Sequence, residues 1–148
     1  DRITGVTSPL PDLDRFDHDA GWRVGSGLVR DCRRMGQPVT IAVWLGEQRV
    51  FHAALPGSSA DNDSWVERKA RVVRRFGRPS LEVELDLARD DLAGFYTAFG
   101  VSPADFAPSG GAVPIVVRGL AVGVLAVSGL TSTEDHELAV AALAAERG

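Results

Sequence analysis

From Ser109 to Glu137 the chain alternates between turn residues and strand-forming residues too quickly for a helix to intervene before the end of the stretch. Ser109-Gly110-Gly111 opens it, Val113 to Val117 follows, Arg118-Gly119 interrupts, Ala121 to Val127 resumes, and Ser128-Gly129-Leu130 closes it. Two apolar, β-branched runs flanking a two-residue turn that ends in glycine predict an antiparallel hairpin. Pro38 to Leu45 and Gln48 to Leu55, joined by Gly46-Glu47, repeat the pattern earlier in the chain. Their β-branched and aromatic content predicts a second hairpin.

Helical periodicity fills the spaces between the hairpins. From Asp19 to Met35 the residues Trp22, Leu28, Val29, Cys32 and Met35 recur at helical spacing, with Gly25 on the same stripe and Gly36 as the stop. Gly21, Gly25 and Gly27 each cost roughly 0.5–1 kcal/mol relative to alanine in a helix, so the sequence predicts a close backbone approach, most simply against a sheet. A second helix is expected from Ser64 to Gly77, with Ser64 and Glu67 at capping-box spacing and Trp65, Val66, Val72, Val73 and Phe76 as its apolar stripe. Leu81 to Leu92 reads both ways: Leu81, Val83, Leu85 and Leu87 alternate like a strand, while Ala88 to Ala93 reads as helix. Ser102-Pro103-Ala104-Asp105 has the form of a short helix start. The last helix runs from about Glu134 to Arg147. Helices separated by hairpins predict a central, mostly antiparallel sheet flanked by helices, an α/β/α sandwich. Residues 1–15, with Pro9 and Pro11, read as an N-terminal arm, and residues 16–148 as a single domain.

Composition excludes several functions. A net charge of −4 argues against general nucleic-acid binding, although Arg68, Lys69, Arg71, Arg74, Arg75 and Arg78 make one helix basic. Pairing with acids of Leu81 to Asp91, or with another subunit, is the expected use of those cations. The single cysteine, Cys32, excludes an internal disulfide framework and fits a reducing compartment. No apolar run reaches membrane-spanning length, and Asp1-Arg2-Ile3-Thr4 starts no signal-peptide pattern, so a cytoplasmic location without membrane attachment is expected.

Candidate chemistry concentrates at two places. The polar loop Leu55 to Asp63 runs into a helix start carrying Arg68 and Lys69, where free N–H groups and cations favour a carboxylate or phosphate. The competing reading is that Asp61, Asn62, Asp63 and Ser64 simply cap that helix. The glycine turns at Ser109 and Ser128 are the other place. The histidines His18, His52 and His136 are not at metal-pair spacing, yet any of them can serve as a lone axial ligand to haem iron. Their plainer readings are capping roles for His18 and His136 and a core position for His52. Cys32 lies on an apolar stripe, Ser128 is in no nucleophile elbow, and Trp22, Trp44 and Trp65 read as core. No catalytic set emerges. Lys69 is the only lysine among sixteen basic residues, and only a lysine amine can lose its proton or form a Schiff base.

Five blocks carry a resemblance. They are Phe16-Asp17-His18-Asp19-Ala20; Phe51-His52-Ala53-Ala54-Leu55-Pro56-Gly57; Asp61-Asn62-Asp63-Ser64-Trp65 with Arg68-Lys69 and Arg75-Phe76-Gly77; Ser109 to Ile115; and Val127-Ser128-Gly129-Leu130 with Asp135-His136. Together they resemble the haem-degrading-domain family, GlcG-like and HbpS-like, and within it the small cytosolic branch. The resemblance implies a profilin-like α/β/α sandwich that assembles into homodimers or larger homo-oligomers. It also implies haem binding in some extracellular and sensor-linked members, and tail-anchored protein handling for a yeast relative.

The reading that follows is a cytosolic homo-oligomer binding haem or a small carboxylate, with a pocket walled by Asp61 to Lys69, Ser109 to Gly111 and Ser128 to His136. Its named ligand-binding candidates are Asp61, Asn62, Trp65, Arg68, Lys69, Ser109, Gly110, Gly111, Ser128 and His136, and its candidate axial ligands are His18, His52 and His136. The alternative is a non-enzymatic oligomeric interaction or scaffold protein.

Overall fold

A computed structural model describes residues 9–147. Five strands form one open sheet in the order β1-β4-β5-β2-β3, with β1 at Asp12–Leu13, β2 at Thr40–Leu45, β3 at Gln48–Ala54, β4 at Ala112–Val117 and β5 at Leu120–Ser128. The two hairpins are those expected, and they join along β2 and β5, where Thr40 faces Ser128 and Leu45 faces Gly123. Only β1 runs parallel to its neighbour, with Asp12 beside Val116. Part of the expected arm is thus a strand on the sheet edge, while residues 1–8 of it lie outside the described residues.

Two layers of helix cover the sheet. Helices α1 (His18–Met35) and α5 (Ser132–Arg147) pack on one face, burying Val24, Leu28, Cys32, Ala139, Val140 and Leu143 against Ile41, Val43, Val113, Ile115, Leu125 and Val127. Helix α2 (Ala60–Phe76) lies on the other, burying Val66, Ala70 and Val73 against Ala42, Trp44, Ala112, Val124 and Ala126. The alternation of side chains along each strand divides the apolar residues between the two faces.

Helix α1 approaches the sheet where its glycines fall. A Cβ on Gly25 would stand 2.3 Å from the Phe51 ring, and one on Gly21 would stand 2.9 Å from Val50 Cγ2. Gly27 faces away and needs no such space. The stripe is narrower than its periodicity predicts: Trp22 is 64% exposed and Met35 70%, so neither is core. Trp22 lies edge-on to Phe51 at the β3 edge.

Leu81 to Leu92 is helical. Helix α3 (Ser80–Val83) continues into one wide turn, Glu84–Ala88, closed by the Arg89 N–H on the Glu84 carbonyl. Arg78 pairs with Glu82 and Asp86, four and eight residues on, a spacing that a helix brings within reach and an extended strand, at about 3.3 Å per residue, holds far apart. The apolar alternation therefore misleads, and Leu87 is largely exposed. Helix α4 (Leu92–Phe99) follows, with its Phe95 and Phe99 stacked against Phe76. Residues 103–105 form a turn and no helix, because Ala107 N–H is taken by the Arg68 carbonyl. Helix α2 starts four residues before the expected Ser64, with Asn62 Oδ1 accepting from Ser59 N–H. Among the described residues no helix is long and apolar enough to cross a membrane.

The glycine contacts predict opposite effects two residues apart. Gly25→Ala is expected to destabilise by about 1–3 kcal/mol through overpacking against Phe51. Gly27→Ala is expected to stabilise by roughly 0.5–1 kcal/mol. Urea unfolding of both variants checks the pair, and equal effects would contradict the packing described.

Candidate functional site

Lys69 occupies the third turn of α2 at the spacing Val66, Lys69, Ala70, Val73, on the helix's buried stripe. It is 4% exposed. Its Nζ donates to the Val127 carbonyl at 3.0 Å and to Asp135 Oδ2 at 3.3 Å. Asp135, 1% exposed, also accepts from the Gly129 and Leu130 N–H groups. One carboxylate thus ties α2, the end of β5 and the first turn of α5 together. Burial pulls the Lys69 ammonium below the usual lysine range, against the attraction of Asp135. Burial likewise pushes the Asp135 carboxyl up, against Lys69 and the two backbone donors.

Gly111 makes room for this pair. Its φ of +134° suits glycine, and a Cβ there would stand 2.3 Å from the Val127 oxygen and 2.7 Å from Lys69 Nζ. The preceding turn is braced from α3: Gly110 N–H donates to Glu84 Oε1, and the Ser80 hydroxyl accepts from Ala112 N–H at 3.0 Å.

Above the pair lies a cleft of about 300 Å³ lined by Asn62, Trp65, Lys69, Ser109, Ser128, Gly129, Leu130, Ser132 and Asp135. Asn62 Nδ2 donates to Ser128 Oγ at 3.2 Å, bridging α2 to β5 across the cleft. The structure therefore brings together five of the candidates named from sequence: Asn62, Trp65, Lys69, Ser109 and Ser128. The others stand apart from the lining. Asp61 holds the Trp65 indole N–H at 3.1 Å. Arg68 stacks over the same ring at 4.3 Å and donates to Ser64, so it stiffens the rim. Gly110 and Gly111 shape the floor from behind.

The histidines are dispersed. His18 is exposed and bonds Gln48 at 3.2 Å. His52 is exposed on the β3 edge, 2.7 Å from Asp63, and so is not a core residue. His136 is 1% exposed, and neither ring nitrogen has a hydrogen-bond partner. It is a buried neutral imidazole and no helix cap; burial lowers its pKa, with Glu137 and Glu82 opposing. Of the basic α2 residues, Arg71 meets Glu67, while Arg74 and Arg75 donate to the backbone carbonyls of Gly46 and Phe99. Arg78 alone takes acids of the 81–91 segment.

Periodicity missed the role of Asp135. The signal was present: the chain's only lysine falls on an apolar stripe, which demands a buried acid.

Residues 16–144 match the family described as haem degrading protein HbpS-like. The chain belongs to that family. A UPF0303 protein of Streptomyces avermitilis is 44% identical over 132 residues, covering 88% of this chain and 80% of the relative. Among solved structures, that of the Ybr137w protein superposes with a TM-score of 0.78 at 28% identity, over 90% of this chain and 79% of that one. A PduOC–haem complex shares the fold with a TM-score of 0.73 at 17% identity, over 90% of this chain and 95% of that one. The residues lining the cleft do not fit a haem group that takes a histidine as axial ligand. None of its lining residues is a histidine; His136 is a buried residue of α5, His18 is exposed at the start of α1, and His52 is exposed on β3.

Lys69→Met, which leaves Asp135 buried without its counter-charge, is expected to cost about 3–5 kcal/mol in urea unfolding. Adding Asp135→Leu should recover only part of the loss, because the Gly129 and Leu130 N–H groups then lack an acceptor. Full additivity of the two substitutions would contradict the coupling.

His136 carries a separate prediction. Its pKa in the folded chain lies below the ordinary 6.5, so the unfolded chain takes up a proton first as pH falls. Its contribution to stability is present above pH 6.5 and is lost as pH drops below that value. His136→Leu should flatten the fall in unfolding free energy between about pH 6.5 and pH 5. An unchanged slope would show that His136 titrates alike in both states.

Proposed function

We propose that this chain is a cytosolic small-molecule-binding protein whose cleft between α2, β5 and α5 takes a small carboxylate. The observation that supports it is the floor: a buried lysine ammonium lies where a ligand can reach it, beside the Asn62 amide and the hydroxyls of Ser109, Ser128 and Ser132. Fixed donors that need no rearrangement favour an anion over water. The first turns of α2 and α5 both meet the cleft, at Asn62 and Ser132, and their dipoles add to the preference. Arg68 is not the anion's partner, since its guanidinium is stacked on Trp65. Binding through the cleft needs no haem iron.

Assembly into homo-oligomers is the second reading, favoured by the exposed Trp22 and Met35 on α1 and by the position of β3 at the sheet edge.

One titration tests both. Heteronuclear NMR with lactate is expected to move the amide signals of Ser109, Gly129, Leu130 and Ser132 together. Asn62→Ala should weaken the affinity about tenfold, the loss of one hydrogen-bond donor. Cleft signals that ignore lactate, combined with concentration-dependent broadening of the Trp22 indole signal, would favour assembly alone.

A further inference from the structure

We propose that Lys69 forms an imine with the carbonyl carbon of a 2-oxo acid seated in the cleft. The inference rests on the carboxylate reading above and names the ligand's second functional group. Three observations carry it.

The first is the amine itself. Lys69 is the only lysine in an arginine-rich chain, and among the described residues it stands at the one position where a lysine or arginine side chain is buried and lines a cleft. An arginine would bring the same positive charge to Asp135 and Val127, but a guanidinium neither loses its proton nor condenses with a carbonyl. Desolvation favours the neutral amine that condensation needs.

The second is the proton acceptor. Asp135 Oδ2 lies 3.3 Å from Nζ and is held in place by Gly129 and Leu130. A proton passes from the ammonium to that oxygen, and the freed nitrogen lone pair attacks the carbonyl carbon. The carbonyl oxygen takes up the proton from Asp135 as the C–N bond forms. A second proton passes from nitrogen by way of Asp135 to the hydroxyl oxygen, the nitrogen lone pair forms the C=N bond as the C–O bond breaks, and the oxygen departs as water. The net change is ammonium plus carbonyl giving protonated imine plus water, with no change of oxidation state. The product keeps a positive nitrogen beside Asp135, so the buried pair that anchors α2 to α5 survives the reaction.

The third is the division of the lining. Asp135 is the one acid among the lining residues, so like-charge repulsion directs the ligand's carboxylate away from it and toward the neutral donors, Asn62 and the serines. The adjoining carbonyl then lies over Lys69. About 300 Å³ admits a short 2-oxo acid.

The experiment incubates the full chain with pyruvate and sodium cyanoborohydride, which reduces an imine to a stable secondary amine, and maps the adduct by peptide mass spectrometry. The expected result is one adduct, on Lys69, absent when lactate replaces pyruvate. Lys69→Arg, which keeps a cation for Asp135, should abolish it. Asp135→Asn should slow trapping on the order of 100-fold while lactate still moves the cleft signals. If pyruvate and lactate both bind in the cleft but the wild-type chain yields no adduct, or one confined to the N-terminal amine, the imine is overturned and the carboxylate site stands. If neither compound moves a cleft signal, both readings fall.

Discussion

A single ion pair is the constraint around which this architecture is arranged. The sheet and its two apolar faces would hold α1 and α5 on one side and α2 on the other through area burial alone. Nothing apolar, however, fixes where the N-terminal half of α2 stands relative to the start of α5, because those segments come from opposite layers. Lys69 and Asp135 meet past the end of β5, at the Val127 carbonyl. Burying both charges is costly, and the arrangement is sustained by the Val127 carbonyl on the ammonium and by the Gly129 and Leu130 N–H groups on the carboxylate. Gly111, Gly129 and Leu130 exist in their conformations to complete that match.

The location of the cleft follows from the same pair. On the α2 face the strands carry Ala42, Trp44, Val124 and Ala126 through the middle of the sheet, and the packing there is apolar. At the end where β2 and β5 leave the sheet, the facing positions become Thr40 and Ser128. Helix α2 begins with Asn62 and Trp65 over that polar end and does not close it. A charged pair needs matched polar surroundings, and polar surroundings resist tight packing, so the layer separates where the pair sits. Stability and an opening for a ligand thus arise from one feature.

Much of this was legible in the residues. Both hairpins, the Arg118-Gly119 turn and the α/β/α layering followed from turn chemistry and periodicity, while five of the nine lining residues were named only once the family resemblance joined the α2 entry to the glycine turns. What failed did so for identifiable reasons. The alternation of Leu81 to Leu87 imitates a strand because period 2 and a short helical turn with one exposed leucine share the same few positions; the arginine at 78 decided the outcome. Trp22 and Met35 sit on a helical stripe wider than the sheet beneath it, so periodicity overstated the core. Ser64 imitated a cap because Ser59 and Asn62 offer the same chemistry one turn earlier. No local pattern reveals that His136 is buried, since its neighbours Glu134, Asp135 and Glu137 are all charged.

The one lysine is the point at which composition, packing and chemistry converge. Arginine fills every other basic position, and at the surface of α2 it stacks on Trp65, reaches Phe99 or pairs with Glu67. None of those settings constrains the size of the cationic head. Position 69 does: the head must fit beside Gly111, between Val127 and Asp135, where even one methyl group would stand 2.7 Å from Nζ. A compact ammonium satisfies that geometry, and a planar guanidinium presents its five donors over a wider span than the two acceptors offered. The space that favours a compact head also preserves an ionisable amine at the bottom of a cleft. A residue kept for its shape therefore brings a reactivity that no other side chain in this fold can supply.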